Sequence, residues 1–143
     1  MKKNNKGFSL VELIVVVLIM GILAVALTPQ VLKWVNNSRI ANDKAMMDTI
    51  VSSAQTALTN KEAYDAAPGV KIEIHDTASS NVVGTDKFSE KVAEYCGYGS
   101  ANAMKTGLTT KAKGGKIVVE VDSNRKVKGT YTVNGSDYDL EKQ

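Results

Sequence analysis

KGFSLVELIVVVLIMGILAVALTPQ, residues 6–30, decides how the chain is read. From Phe8 to Leu32 the only polar side chains are Ser9, Glu12, Thr28 and Gln30, and Leu13 to Leu27 carries none. At ~1.5 Å per residue such a helix is roughly 37 Å long, enough to cross a hydrocarbon layer of ~30 Å. The preceding MKKNNKG is short, basic and polar. Lysines before the span and none within it predict a single crossing with a cytoplasmic N-terminus.

The totals sharpen this division. The chain has 143 residues, and removing its apolar N-terminal part leaves about the modal size of one domain. The net charge of +3 comes from Lys2, Lys3 and Lys6. From Lys33 onward 15 basic residues face 14 acidic ones, a balance of +1. A nucleic-acid interface needs a clustered basic excess, so no nucleic-acid partner is expected. The cluster Lys105, Lys111, Lys113 and Lys116 reads as a solvated loop, with contact to DNA or an acidic surface the weaker alternative. Cys96 is the single cysteine, which excludes an intramolecular disulfide, and it reads as a small packing residue.

Glu12 is the anomaly in the apolar run. Ser9-Leu10-Val11-Glu12 fits a capping box, in which a carboxylate satisfies exposed N–H groups and suits the helix dipole. An ionisable group at membrane depth also reads as one meant for a partner charge. A cut just before Phe8 would create such a charge, a new α-amino group, and Lys6-Gly7 offers an open place to make it. A cleavable secretory signal with its cut after Ala24-Val25-Ala26 is a rival. Glu12 is badly placed for that reading, and an amphipathic pattern runs directly past the cut.

The segment KGFSLVELIVVVLIMGILAVALTPQ resembles the class III signal of type IV pilin and pseudopilin precursors. The resemblance covers about the first thirty residues: a basic leader ending in Gly7, then Phe8, Glu12 four positions on, an apolar span, Gly21 and Pro29. It implies cleavage between Gly7 and Phe8 by a prepilin peptidase and N-methylation of Phe8. It also implies that Glu12 pairs with the terminal amine of a neighbouring subunit on a pilus assembly platform. Gly21 and Pro29 would bound a stretch of helix able to loosen in the filament. On physical grounds alone, Gly21 weakens a helix by ~1 kcal/mol and Pro29 removes the donor to the carbonyl of Val25.

Beyond Lys33 the residues are read without the resemblance. Ile40, Met47, Ile50, Val51, Ala54, Ala57 and Leu58 recur at helical spacing, which predicts one helix from about Phe8 to Thr59. Ala66-Ala67-Pro68-Gly69 is turn chemistry. VKIEIH (70–75) alternates like a strand, and Asp86 to Cys96 reads as a short helix with Phe88, Val92 and Tyr95 on one side. KIVVEVD (116–122) and KVKGTYTVN (126–134) around Ser-Asn-Arg signal a β-hairpin, and Asp137 to Leu140 adds an edge strand. The expected fold is α+β: a long helical spine on an antiparallel sheet of three to four strands. The expected divisions are a leader at 1–7, a membrane and filament-core half at 8–32, an amphipathic half at 33–60, and a head at 61–143.

Enzyme signatures fail. GSANAMKT (99–106) has Met104 where a P-loop needs glycine. His75-Asp76 has no second histidine, so His75 reads as solvated. DSNRKV (122–127) lacks the EF-hand glycine, leaving only a weak calcium loop with Asp137 or Asp139. No catalytic residue, cofactor or metal is expected. The expectation is a structural subunit, a homo-oligomeric helical filament for adhesion, twitching motility or biofilm formation, held first in the cytoplasmic membrane and extracellular after assembly. Other readings share its N-terminus: a pseudopilin of a type II secretion or competence system, or a single-pass membrane protein with an external binding domain. A secreted domain starting near Leu27 is the last.

Overall fold

Strand alternation and helical periodicity appear where the residues dictate them. The computed structural model describes residues 7–75, 86–100, 103–104, 108–110 and 114–142. Its elements are α1 (Leu10–Ala57), α2 (Lys61–Ala66), β1 (Lys71–His75), α3 (Lys87–Tyr95), β2 (Lys116–Val121), β3 (Val127–Val133) and β4 (Ser136–Lys142). The chain divides into two units, residues 1–37 and 38–143.

In the second unit the four strands form one antiparallel sheet in the order β1-β2-β3-β4. Register places Ile72 opposite Val119, Ile74 opposite Ile117, Ile117 opposite Tyr131 and Val121 opposite Val127. All of these side chains are buried, so one sheet face is apolar and the register is fixed by it. Met47, Ile50, Val51, Ala54 and Ala57 of α1 supply the facing apolar stripe. A long N-terminal helix on a four-stranded antiparallel sheet is an α+β, pilin-like architecture.

Gly129 lets the layers approach. A Cβ there would stand 2.5 Å from Val51 Cγ2 and 3.2 Å from Met47 Cγ, so only glycine fits beneath the helix. The β3–β4 link is Asn134-Gly135 with φ of 52° and 74°, the left-handed pair of a type I′ hairpin turn. That turn starts β4 at Ser136, one residue before the edge strand expected from the sequence.

Two expectations need correction, and one helix is added. Tyr95 is 43% exposed; the inward stripe of α3 is Phe88, Ser89, Val92 and Ala93. Helix α2 has no apolar stripe to announce it in the sequence. It is held by Asn60, whose Oδ1 accepts from the backbone N–H of Glu62 at 3.0 Å and Ala63 at 3.3 Å. His75 is half-buried rather than solvated, with Nε2 3.7 Å from Glu73 Oε2.

Candidate functional site

The residues that the sequence ties to processing and assembly, Gly7, Phe8, Glu12, Gly21 and Pro29, lie in the first unit. Helix α1 begins after Ser9, which stands as its N-cap, and Leu13 N–H donates to the Ser9 carbonyl at 3.2 Å. Glu12 is then the third helical residue, and its Oε2 accepts from the Ser9 N–H at 3.3 Å. The carboxylate half of a capping box is thus formed, as Ser9-Leu10-Val11-Glu12 implied. Gly7 and Phe8 lie just ahead of the helix, and Phe8 is 85% exposed.

Every large apolar side chain from Leu10 to Val35 is exposed, Trp34 included. None of the apolar N-terminal stretch of α1 is buried. This helix is long and apolar enough to cross a membrane. An apolar surface of this length needs lipid or apolar protein around it.

Gly21 and Pro29 lie within α1, which runs through both. A Cβ on Gly21 would meet nothing within 4 Å, so packing inside the chain does not require glycine there. Beside Pro29, the Thr28 hydroxyl donates to the Ala24 carbonyl at 2.7 Å. That bond keeps a polar group of the apolar stretch satisfied within the helix. The structure brings Ser9 and Glu12 together; Gly21 and Pro29 are spread along the same helix.

Residues 2–28 match the family model described as the prokaryotic N-terminal methylation motif. The N-terminal segment is therefore a class III signal of the kind carried by type IV pilin and pseudopilin precursors. Proteins with this signal are structural rather than enzymatic, and the motif implies processing by a prepilin peptidase and assembly into a pilus-type structure. The apolar helix fits membrane anchoring of such a precursor. No solved structure matches the chain.

The second unit holds a polar centre that the sequence reading did not find. Asp43 of α1 is fully buried. Its Oδ1 accepts from Thr109 N–H at 2.7 Å and the Thr109 hydroxyl at 2.8 Å. Its Oδ2 accepts from Thr110 N–H at 2.9 Å and the Thr110 hydroxyl at 2.5 Å. The Tyr131 hydroxyl lies 2.8 Å from Thr110 Oγ1, and burial pushes the Tyr131 phenol above its ordinary range. Every oxygen is used, so the group ties a loop to the helix and sheet and leaves nothing free for chemistry. Gly115 completes it, since a Cβ there would fall on the Thr110 hydroxyl.

The outer sheet face is a charge lattice. Glu73 meets Lys71 at 2.9 Å and Lys116 at 3.2 Å, which together hold its carboxyl below the usual range, Lys71 contributing most. Lys116 is thereby an ion-pair partner in the sheet rather than part of a solvated loop; Lys105, Lys111 and Lys113 lie outside the described residues. Burial raises the Cys96 thiol, opposed by a hydrogen bond with Ser53, as suits a packing residue.

The three aspartates of the weak calcium loop each accept a hydrogen bond within the chain. Asp122 Oδ1 accepts from Lys126 N–H within the β2–β3 turn, whereas Asp137 and Asp139 accept from Thr132 and Thr130 on β3. Register sets Val127 opposite Lys142 and Thr132 opposite Asp137, so Asp122 and Asp137 stand towards opposite ends of the hairpin. Among the described residues no three of His, Cys, Asp and Glu gather as a metal site. Met104 of the rejected P-loop stretch is buried in the core, and residues 101–102 and 105–106 of it lie outside the described residues.

Proposed function

We propose that the chain is the precursor of a major structural subunit of a type IV pilus, a surface filament serving adhesion, twitching motility or biofilm formation. One observation carries the reading: an unburied apolar helix half opens with Glu12, four residues after Phe8 of the methylation motif, and the Glu12 carboxylate accepts from the Ser9 N–H. In this reading residues 1–7 are a leader, 8–32 the membrane and filament-core half, 33–60 the amphipathic half and 61–143 the head. A prepilin peptidase cuts between Gly7 and Phe8, and Phe8 is N-methylated. The helix leaves lipid for the apolar faces of neighbouring copies.

Membrane helices gain little by exchanging lipid for another apolar surface, so burial alone gives such a polymer no direction or register. Glu12 supplies both by meeting the new amine of a neighbouring subunit. Gly21 and Pro29 mark where the helix can loosen in the filament. Head-to-tail addition does not close, so the product is a fibre.

The test is the mass and N-terminal sequence of the mature protein, with electron microscopy of the cell surface. A start at N-methylated Phe8 and long filaments containing this chain are expected. A start at Met1 or Leu27 overturns the processing. A methylated Phe8 with only a short envelope-spanning assembly makes the chain a pseudopilin instead.

A further inference from the structure

The first charged side chains at the two ends of the apolar stretch of α1 are Glu12 and Lys33, and no charge lies between them. They are 21 residues apart, which in an α-helix is ~31 Å. A typical helix tilt of ~20° reduces that to ~30 Å, the thickness of a bilayer's hydrocarbon core. Directly after Lys33 stands Trp34, the only tryptophan, 66% exposed. Asn36 and Asn37 follow it. An indole beside a lysine at the end of an apolar span is the arrangement that headgroup-level anchoring favours. Inside these limits the polar groups are accommodated: Thr28 bonds to the Ala24 carbonyl, and Gln30 lies within one turn of Lys33.

From this frame we infer that, in the uncut chain, the bilayer's hydrocarbon core covers Leu13 to Leu32, with Glu12 at the inner headgroup level and Lys33-Trp34 anchoring the outer one. The occupant of the exposed apolar surface at this stage is a phospholipid bilayer with a core near 30 Å. The inference rests on the membrane reading above and adds a depth to it. Glu12 is then shallow. Its carboxylate keeps the Ser9 N–H as partner and meets water and headgroups on the cytoplasmic side. The carboxylate is costly in hydrocarbon only if the helix is drawn outward.

Trp34 reports the frame directly. The full-length precursor is reconstituted into phosphatidylcholine vesicles whose acyl chains carry bromine either near the headgroup or near the bilayer centre. A companion chain, Trp34→Phe with Leu23→Trp, places the reporter midway between Glu12 and Lys33. The expected result is Trp34 quenched about twofold more by shallow than by deep bromine, and the reverse order for the Leu23→Trp companion. Trp34 quenched most by deep bromine overturns the frame, as does an unquenched Trp34 beside a deeply quenched companion. If neither chain is quenched, the helix does not enter the bilayer and the membrane reading itself falls.

Discussion

The Asp43 carboxylate accepts the hydroxyl of Thr110, 67 residues further along the chain, at 2.5 Å in a fully buried position. With Thr109 it accepts four hydrogen bonds at no more than 2.9 Å, two of them from backbone N–H groups. A buried donor left without its acceptor costs about 1–3 kcal/mol. Asp43→Ala strands two backbone donors that cannot rotate away, so a loss of about 3–5 kcal/mol is expected. Tyr131→Phe removes one hydroxyl, 2.8 Å from Thr110 Oγ1 and only 3.4 Å from Asp43 Oδ2, and should cost about 1 kcal/mol. Urea denaturation of the detergent-solubilised chain, followed by circular dichroism, measures both. Equal losses for the two variants would show that the carboxylate is not the centre of the network.

Gly129 and Val51 make the next prediction, because the helix–sheet distance depends on the pair. A methyl at 129 would stand 2.5 Å from Val51 Cγ2, and a valine on a helix has little rotamer freedom with which to yield. Gly129→Ala should therefore destabilise by about 1–3 kcal/mol through overpacking. Adding Val51→Ala frees the space, so the double variant should be more stable than the sum of the singles implies, by at least ~0.5 kcal/mol. Strict additivity in the same urea titrations would mean that the layers shift apart instead.

Helix α2 depends on one side chain. Asn60 Oδ1 serves the N–H groups of both Glu62 and Ala63, and Asn60→Ala should cost about 1 kcal/mol, with Asn60→Asp close to neutral. Thermal melts of the two variants separate capping from any other role, since a cap effect is rescued by aspartate.

These cases show what the sequence holds and what it hides. The strands are legible because Ile72, Ile74, Val127 and Tyr131 alternate with polar neighbours, while KIVVEV reads as a strand by its β-branched run, and a buried face enforces period two. The apolar half of α1 is legible because nothing but a membrane or another apolar surface suits Leu13 to Leu27. Helix α2 is not, since KEAYDA offers one buried residue, Ala63, and no stripe. The readable signal was Asn60 placed two residues before Glu62. Asp43 is hidden for a different reason. On an amphipathic helix an aspartate reads as solvent-facing, and its donors come from residues 66 and 67 positions away. Tyr95 misleads because 88, 92 and 95 share helical spacing, whereas burial follows 88, 89, 92 and 93 in a helix of nine residues.

Glu73 gives the pH dependence. Lys71 above all, then Lys116, holds its carboxyl below the ordinary 4.5. A depressed carboxylate contributes stability that is fully present above the unfolded-state value and is lost as pH falls through the folded-state one. The wild-type chain should therefore lose urea resistance as pH drops from about 4.5 downward, on top of what other carboxylates contribute. Glu73→Gln should start lower at pH 7 and fall less steeply in that window. Parallel slopes for the two chains would remove Glu73 from the account.

Glu12 carries the assembly prediction, and two substitutions separate its roles. The capping role needs an acceptor near Ser9 N–H, which Oε2 provides at 3.3 Å and a glutamine oxygen can also provide. The pairing role needs a negative charge to meet the positive amine that cleavage before Phe8 creates. If pairing operates, Glu12→Gln and Glu12→Ala are both still cut after Gly7, and both lose most of their filaments. If capping is the whole role, glutamine behaves as wild type and alanine costs only ~1 kcal/mol of local helix stability, with filaments retained in both. Electron microscopy of sheared surface material, alongside immunoblots that follow the shift from precursor to mature length, distinguishes the two. Abundant filaments from Glu12→Gln would assign the carboxylate to the helix end alone and leave the register of the polymer to the apolar faces between Leu13 and Leu32.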